Sequence, residues 1–439
     1  MAQNIYPASN CRILPEANLT LPPEMTHTLY NIAIYVLSLA MQLGAFWDIK
    51  IKKGVEGRAN WRNRLAAALP QDRKKTLWIH VASLGEFEQG RPVMEQIKKQ
   101  HPEWHIVLTF FSPSGYELRK NYPQADTIVY LPLDTPANAR AFLDEVQPDL
   151  IIFVKYEFWA NYLLEAQHRR IPVWLIAALF RPDQYFFQWY GAWGRRILAC
   201  FTHFFVQNQA SADLLHGIGC TQTTLAGDTR IDRVLDIAAQ VPDNDIVAAF
   251  AQHHRVLVVG SSWEKDEDLL MAALQHPDLA NLKVICAPHE PSRAHVTRLL
   301  TRLGNAAVAY SATTPAQAAS YRWLIIDNVG MLNTLYRYGH WAYIGGGFGT
   351  GIHNTLEPAA FGLPVIFGPK YHKFEEAKQL IQRQGFFSVH DANFLQQTLI
   401  TLQQETAAQS ARAAIQQYLR ENCGGTALIL QCVQREFGA

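Results

Sequence analysis

The residues best suited to chemistry lie in a glycine-rich stretch, residues 340–369, which reads HWAYIGGGFGTGIHNTLEPAAFGLPVIFGP. Its apolar run Trp341–Ile344 predicts a strand that ends in three glycines, Gly345–Gly347. Asn354, with Glu357 three residues later, predicts a helix start with a capping box. Glycines let a backbone pass close to a ligand, and the N–H groups of a helix start attract phosphate. The pattern therefore predicts a nucleotide site in which Glu357 reaches a ribose hydroxyl, although a tight turn with a capping glutamate has the same signature.

A carboxylate occupies a comparable position in the first half of the chain. The apolar run Thr76–Ala82 predicts a strand, and the sequence SLGE at Ser83–Glu86 follows it, with a helix expected to begin near Glu86. A glutamate shielded from water at the end of a buried strand suits a general base. An ordinary first-turn glutamate, stabilised by the helix dipole, is the alternative.

Polar residues also follow the second and fourth predicted strands. The sequence SPSG at Ser112–Gly115 is compatible with binding of a hydroxyl or a phosphate, and more simply with a turn and helix cap. The sequence KYEFWAN at Lys155–Asn161 combines a cation, a carboxylate and an indole. That combination suits an anionic sugar, with a local ion pair as the alternative.

Three further segments carry polar groups where strands end or domains meet. Arg230, within Gly227–Arg233, is placed to stabilise a departing phosphate, although a solvated charged linker has the same composition. Pro288 and His289 end a predicted strand, and Gly330–Leu332 precedes a predicted helix. Alone, a histidine at a strand end is more often a simple polar residue than a ligand contact.

Two acidic triplets are candidate metal ligands, because metal-dependent glycosyl transfer often uses Asp-x-Asp. Asp243–Asp245 falls in a predicted linker and Asp266–Asp268 at a polar helix start, so we expect both to be solvated. No His or Cys cluster has metal-ligand spacing, and the six cysteines form no CxxC pair. We therefore expect neither a metal nor a cofactor.

The overall composition describes a two-domain globular protein. With 439 residues, the chain is too long for one ordinary core. Its formal net charge of +1 is too close to zero to indicate nucleic-acid binding. Short continuous apolar runs alternate with helical segments, as in parallel sheets covered on both faces. The predicted strands are Thr76–Ala82, Trp104–Phe110, Thr127–Leu131, Leu150–Val154, Val173–Ala177, Phe201–Val206, Val256–Val259, Lys283–Ala287, Trp323–Ile326, Trp341–Ile344 and Val365–Phe367.

An uncharged apolar segment precedes the first strand. Thr28–Trp47 is nearly long enough to cross a bilayer, but Asn31, Ser38 and Gln42 weaken it as a transmembrane span. Cations follow it closely, which favours attachment to anionic lipid over a buried packing helix. These cations are Lys50, Lys52, Lys53, Arg58, Arg62, Arg64, Arg73, Lys74 and Lys75.

In this order the motifs resemble those of the 3-deoxy-D-manno-octulosonic acid (Kdo) transferases, which add Kdo from CMP-Kdo to a lipid A precursor. The resemblance runs from about Leu29 to about His390. It rests on SLGE at Ser83–Glu86, SPSG at Ser112–Gly115, YEFWAN at Tyr156–Asn161 and GGG…HNTLEPAAFGLPV at Gly345–Val365. The resemblance implies an α/β protein of the GT-B class, with two doubly wound Rossmann-like domains facing a central cleft and an N-terminal hydrophobic helix.

The domain boundaries follow from this reading. We expect an irregular segment at 1–27, a membrane-associating helix at 28–48, an acceptor-binding domain at 49–237, a linker at 238–252 and a CMP-sugar-binding domain with terminal helices at 253–439.

The resemblance also implies a role for particular residues. Glu86 matches the catalytic base of an inverting transfer, with Arg230 and Lys155 as the other catalytic positions. The implied CMP contacts are Pro288, His289, Gly330, Met331, Leu332, Asn354, Thr355, Leu356 and Glu357. The implied acceptor or sugar contacts are Ser83, Gly85, Ser112, Ser114, Gly115, Glu157 and Trp159.

Three of these positions depart from the common pattern of the family. Lys155 stands where many members have Glu, Arg230 where many have Lys, and His289 where Arg is usual. Arg230 preserves the charge, whereas Lys155 reverses it and would place a cation beside a carboxylate sugar and a phosphate. The expected partners are CMP-Kdo, a lipid A precursor and the inner-membrane surface at its cytoplasmic face, without nucleic acid.

Overall fold

The computed structural model describes residues 22–438, which divide into two compact units. Of the described residues, the first unit contains 22–232 and 422–438, and the second unit is Arg233–Glu421. The division therefore falls before the linker expected at 238–252. That segment instead contains a helix of the second unit, Asp245–Ala251, whose Val247 and Phe250 are buried.

The first unit is built on a parallel sheet of seven strands in the order β3-β2-β1-β4-β5-β6-β7. The strands are β1 Lys75–Val81, β2 Trp104–Phe110, β3 Thr127–Tyr130, β4 Leu150–Val154, β5 Val173–Ala178, β6 His203–Val206 and β7 Thr223–Leu225. All residues of β4 and β5 are buried, which explains their uninterrupted apolar sequences. The strand order reverses between β1 and β4, and ligands of such sheets bind at the carboxyl ends beside this point.

The second unit repeats the plan with seven parallel strands in the order β10-β11-β9-β8-β12-β13-β14. The strands are β8 Val256–Ser262, β9 Lys283–Pro288, β10 Ala307–Ala309, β11 Trp323–Ile325, β12 Trp341–Ile344, β13 Val365–Phe367 and β14 Phe386–Ser388. Here the order reverses between β8 and β12, so the glycines after β12 lie at the corresponding point of this sheet.

Helices connect the strands of both units. Those of the first unit are α1 Pro23–Gly44, α2 Ile49–Arg58, α3 Trp61–Ala68, α4 Leu84–Gln100, α5 Pro113–Arg119, α6 Pro136–Val146, α7 Ala160–His168, α8 Ala192–Leu198, α9 Gln209–Gly217 and, at the end of the chain, α20 Gly425–Phe437. Helix α10, Thr229–Ala239, contains the division between the units. Those of the second unit are α11 Asp245–Ala251, α12 Glu264–Ala273, α13 Arg293–Leu303, α14 Pro315–Ala318, α15 Leu332–Leu335, α16 Leu356–Ala360, α17 Glu375–Gln382, α18 Ala392–Leu402 and α19 Glu405–Asn422.

The C-terminal helix α20 belongs to the core of the first unit. The sequence analysis placed it in the second domain, and that expectation is wrong. Ile429 and Val433 are buried in the same apolar cluster as strand residues such as Leu77. Phe437 packs edge-on against Trp104, with ring centroids 5.7 Å apart. Helix α20 thus packs on the sheet of the first unit.

Helix α1 starts earlier than expected, at Pro23, so residues 23–27 are helical; the rest of the predicted irregular segment, 1–21, lies outside the described residues. One face of α1 is fixed to the first unit by polar contacts. Tyr30 donates to the buried Asp134 carboxylate at 2.6 Å, and Asn161 donates to Asn31 at 2.8 Å. Burial raises the pKa of Asp134 to about 6. Within residues 22–438, no helix combines the length and apolarity needed to cross a membrane.

Candidate functional site

The first candidate region lies where β1 ends and α4 begins. Ser83 has extended backbone angles just before the helix, and its hydroxyl donates to the carboxylate of Glu86 in the first turn. The amide of Phe87 bonds to the Ser83 carbonyl at 3.0 Å, which starts the helix. Glu86 is half-buried and Gly85 is exposed. The structure therefore places a fixed carboxylate at the carboxyl end of β1, as the sequence predicts.

The SPSG segment lies directly beside this helix start. Ser112, the N-cap residue of α5, accepts from the Ser114 amide, and its amide bonds to the Ala82 carbonyl at 2.7 Å. A Cβ on Gly115 would come within 3.0 Å of the Leu84 amide nitrogen and within 2.7 Å of the Phe110 ring. Glycine at this position therefore allows the starts of α5 and α4 to approach each other.

A buried hydrogen-bond chain fixes Glu157. His80 is fully buried in β1, and its Nε2 lies 3.0 Å from Glu157 Oε2, while the Trp159 indole N–H donates to the same oxygen at 2.6 Å. On the other side, His80 Nδ1 lies 2.8 Å from the Thr109 hydroxyl, which accepts from Trp78 at 2.8 Å. The Trp159 N–H also lies 3.2 Å from His80 Nε2, so the indole, the imidazole and the carboxylate are in mutual contact. Glu157 is thus held by the Trp159 N–H and lies within hydrogen-bond distance of His80 Nε2.

Lys155 and Arg230 occupy the same end of the first unit. Lys155 follows β4 with a φ of 68°, a left-handed backbone that is uncommon for a side chain of this size, and its ammonium lies 5.4 Å from the Tyr156 ring centroid. Arg230, at the start of α10, forms a two-pronged ion pair with Asp228, with a shortest distance of 2.6 Å. The neighbouring Thr229 donates to the Gln89 carbonyl at 2.5 Å, which joins the start of α10 to α4 one turn after Glu86.

In the second unit, the glycines after β12 allow unusually close backbone contacts. A Cβ on Gly345 would lie 2.2 Å from the Ser261 carbonyl oxygen, and a Cβ on Gly347 would lie 2.6 Å from the Gly368 backbone. Gly346 has a φ of 90°, in the left-handed region. These glycines are therefore required for packing against the ends of β8 and β13, whether or not a ligand is bound.

The helix after the glycines begins one residue later than the capping-box prediction implies. Helix α16 starts at Leu356 with Thr355 as its N-cap residue, and Asn354 accepts from the Leu356 amide at 3.0 Å. The Asn354 side-chain amide donates to Glu357 at 3.0 Å, so these two side chains pair with each other. The Thr355 hydroxyl is buried without a hydrogen-bond partner in the described part of the chain.

The remaining predicted CMP contacts follow neighbouring strands of the same sheet. Pro288 is the buried last residue of β9, and His289 is the exposed residue after it. Gly330 has a φ of 93° before the short helix α15, which begins at Leu332, with Met331 as its N-cap residue. A Cβ on Gly260, in β8, would come within 3.2 Å of the Leu332 side chain, so α15 lies against that strand.

The expectation for the acidic triplet Asp266–Asp268 is wrong for two of its residues. Asp266 and Glu267 were expected to be solvated, but they are only 1% and 2% exposed. Asp266 accepts from the backbone amides of Trp263 and Gly346, both at 3.0 Å, and from the Tyr343 hydroxyl at 2.8 Å. Strand β8 extends to Ser262, so these carboxylates follow a strand after all, and Asp266 holds the glycine segment in place.

The predicted site residues are thus divided between the two units. The first unit collects Ser83, Glu86, Ser112, Lys155, Glu157 and Arg230 at the carboxyl side of its sheet, and the second collects the predicted CMP contacts. Sequence reasoning missed His80, Trp263, Asp266 and His353. A signal was present for two of them, since Trp263 and His353 follow β8 and β12 as His289 follows β9. Within residues 22–438 the structure contains no group of His, Cys, Asp or Glu side chains arranged to hold a metal ion.

Solved structures with this architecture include nucleotide-sugar enzymes. A UDP-GlcNAc 2-epimerase from Neisseria meningitidis, bound to UDP-GlcNAc, matches 82% of this chain and all of its own length, with 15% identity and a TM-score of 0.56. A glycosyltransferase from Rickettsia africae matches 82% of this chain and 98% of its own, with 12% identity and a TM-score of 0.51. The two parallel sheets and these neighbours show that the chain has an α/β fold of the GT-B type.

The sequence relatives of this chain share one description. The family model for 3-deoxy-D-manno-octulosonic-acid transferase (kdotransferase) matches residues 59–233. The 3-deoxy-D-manno-octulosonic acid transferase of Aquifex aeolicus is 26% identical over 71% of this chain and 81% of its own length. The same enzyme from Haemophilus influenzae is 26% identical over 72% of this chain and 75% of its own. The family model and these relatives support a Kdo transferase and indicate that the chain is a glycosyltransferase.

Proposed function

We propose that this glycosyltransferase moves Kdo from CMP-Kdo to a lipid A precursor of the lipid IVA type, with inversion and without a metal. The observation that carries this proposal is the position of the two most specific motifs. Ser83–Glu86 follows the strand at the reversal point of the first sheet, and Gly345–Glu357 follows the strand at the reversal point of the second.

Glu86 acts as the general base of the first unit in this mechanism. It takes the proton of the acceptor hydroxyl, whose oxygen then bonds to the anomeric carbon of Kdo from the face opposite the phosphate. The bond between that carbon and the phosphate oxygen breaks, and CMP leaves with the electron pair. The support is geometric, because the Ser83 hydroxyl holds the Glu86 carboxylate at the open end of β1.

The leaving phosphate is stabilised by fixed cations. Arg230 is held in a defined orientation by Asp228, and its side chain remains 28% exposed. Lys155 follows the neighbouring strand β4 on the same side of the sheet. Positive groups fixed before the reaction stabilise developing negative charge without reorganisation.

The second unit binds CMP. In this proposal the phosphate lies against the backbone after β12, and Glu357 accepts from a ribose hydroxyl. Asn354, which already pairs with Glu357, fixes the orientation of that carboxylate. The buried hydroxyl of Thr355 provides a further polar group beside it.

Incubation of the purified protein with CMP-Kdo and a lipid A precursor tests the function directly. Mass spectrometry should show the lipid heavier by one or more Kdo residues, and NMR of the product should show inverted anomeric configuration. Activity should be the same with EDTA present. Transfer from a UDP-sugar instead, or CMP binding without any transfer, would contradict the proposal, and strict metal dependence would contradict its metal-free form.

The acceptor is a lipid, and α1 offers a surface that suits a membrane. Its outward residues include Leu29, Ile32 and Val36, and the turn after it exposes Phe46 and Trp47 by 81% and 82%. Exposed cations follow, but Arg58 is not among them: its guanidinium donates to the carbonyls of residues 54, 111 and 131, and burial lowers its pKa to about 10. We propose that this surface lies on the cytoplasmic face of the inner membrane.

Changing Phe46 and Trp47 together to Ser should weaken binding to vesicles of phosphatidylethanolamine and phosphatidylglycerol about ten- to a hundredfold, because two aromatic side chains no longer enter the interface. Vesicle flotation measures this. Changing the exposed Leu225 and Phe394 to Ser is the matched control and should leave flotation unchanged. Equal loss in both variants, or equal binding to neutral phosphatidylcholine vesicles, would argue against the proposed surface.

A further inference from the structure

Three aromatic rings meet at the carboxyl end of the second sheet. Trp263, His289 and His353 follow the adjacent strands β8, β9 and β12, the last after the glycine segment. The Trp263 and His353 rings are nearly parallel, at 14°, and the Trp263 N–H donates to His353 Nε2 at 3.1 Å. The two rings therefore lie side by side, joined at their edges. His289 stacks on both, with centroids 4.7 Å from Trp263 and 4.3 Å from His353.

The hydrogen bond between Trp263 and His353 determines where the imidazole proton lies. An indole nitrogen only donates, so Nε2 of His353 accepts and carries no proton. The ring proton is therefore on Nδ1. Burial, and then the neighbouring His289, lower the pKa of His353 to about 4, in keeping with a neutral ring.

The backbone fixes all three rings. Asp266 binds the amides of Trp263 and Gly346, which joins the start of α12 to the glycine segment that leads to His353. The His289 amide bonds to the Ser262 carbonyl at 3.0 Å. A Cβ on Gly346 would lie 3.1 Å from the His353 ring, so that ring packs directly on the glycine backbone. These bonds therefore tie together the backbone segments that carry the three rings.

We propose that Trp263 and His353 are positioning residues of the CMP site. Trp263 holds His353 neutral with its proton on Nδ1, and together the two rings form the surface on which His289 stacks and is oriented toward the nucleotide. This inference rests on the proposed function, because it takes His289 as a contact of bound CMP. A side chain that is fixed in advance loses less entropy on binding, which strengthens affinity without new contacts.

Replacing Trp263 by Phe keeps an aromatic ring for stacking but removes the N–H donor and part of the ring surface. The Kd for CMP and the KM for the donor should each rise about three- to tenfold, and kcat should stay within about twofold, because the reacting groups are untouched. His353→Leu should weaken CMP binding similarly, while His353→Gln, whose side-chain oxygen accepts from Trp263, should recover part of the affinity. Trp189→Phe, an exposed indole of the first unit, is the matched control.

A spectroscopic measurement separates this role from a general effect on folding. In protein labelled with 15N at histidine, the His353 resonances, assigned by their loss in His353→Gln, should show a proton on Nδ1. Trp263→Phe should shift His353 toward the Nε2-protonated form. A wild-type His353 protonated on Nε2, or unchanged CMP affinity in Trp263→Phe, would overturn the inference while the proposed function stands. Failure of the wild-type protein to bind CMP would overturn both.

Discussion

Replacing Glu86 by Gln should lower kcat about 10²- to 10⁴-fold and leave the Kd for CMP within about twofold. The amide has nearly the same shape as the carboxylate, and its oxygen still accepts from the Ser83 hydroxyl, so the start of α4 should be preserved. What is lost is the ability to take a proton from the acceptor hydroxyl. Single-turnover transfer from CMP-Kdo, followed by mass spectrometry of the lipid, measures the change.

The same helix supplies a matched control. Glu88→Gln makes the same chemical change two residues away, at a side chain that pairs with Arg91 and Arg119 on the surface. Glu88→Gln should retain nearly full activity. Surface ion pairs contribute little to stability, and Glu88 lies further along α4 than the helix start that follows β1. Wild-type kcat in Glu86→Gln would exclude Glu86 as the base. Equal losses in both variants would instead indicate a general effect of charge on this helix.

The parts of the fold predicted from sequence are those in which burial alone determines structure. Trp104–Phe110, Leu150–Val154, Trp341–Ile344 and Val365–Phe367 have the predicted bounds, because strands in the middle of a parallel sheet are covered on both faces and read as apolar runs. The missed strands β7, β10 and β14 lie at sheet edges, and each has at least two residues that are not fully buried, so burial does not mark them as it marks β13, which is equally short. Two of them, β10 and β14, form the edges of the second sheet.

Tertiary contacts decide the features that sequence could not predict. No local pattern indicates which sheet a terminal helix will cover, so the return of α20 to the first unit depends on contacts hundreds of residues apart, such as Lys75 with the Phe437 carbonyl. Asp266 reads as a surface residue because its three donors come from Trp263, Tyr343 and Gly346. Motifs therefore identify residues at strand ends, but not the buried groups that hold them.

Arg230→Gln should lower kcat about 10²- to 10³-fold, because removing one fixed donor from a developing negative charge typically costs that much. Arg230→Lys keeps the charge but loses the two-pronged bond to Asp228, so its orientation is poorer and we expect a loss of about tenfold. Steady-state transfer measures both variants. Arg302→Gln, which removes a surface pair with Asp268, is the matched control and should keep wild-type kcat.

The ion pair with Asp228 provides a second explanation for a loss of kcat in Arg230→Gln, namely a structural effect rather than a catalytic one. Asp228 is only 6% exposed, so Arg230→Gln leaves a buried carboxylate without this cation, which by itself destabilises the start of α10. Asp228→Asn combined with Arg230→Gln removes both charges and relieves that cost. If Arg230 stabilises the leaving phosphate, the double variant regains thermal stability but stays as inactive as Arg230→Gln. Recovery of kcat in the double variant would show that Arg230 serves only to neutralise Asp228.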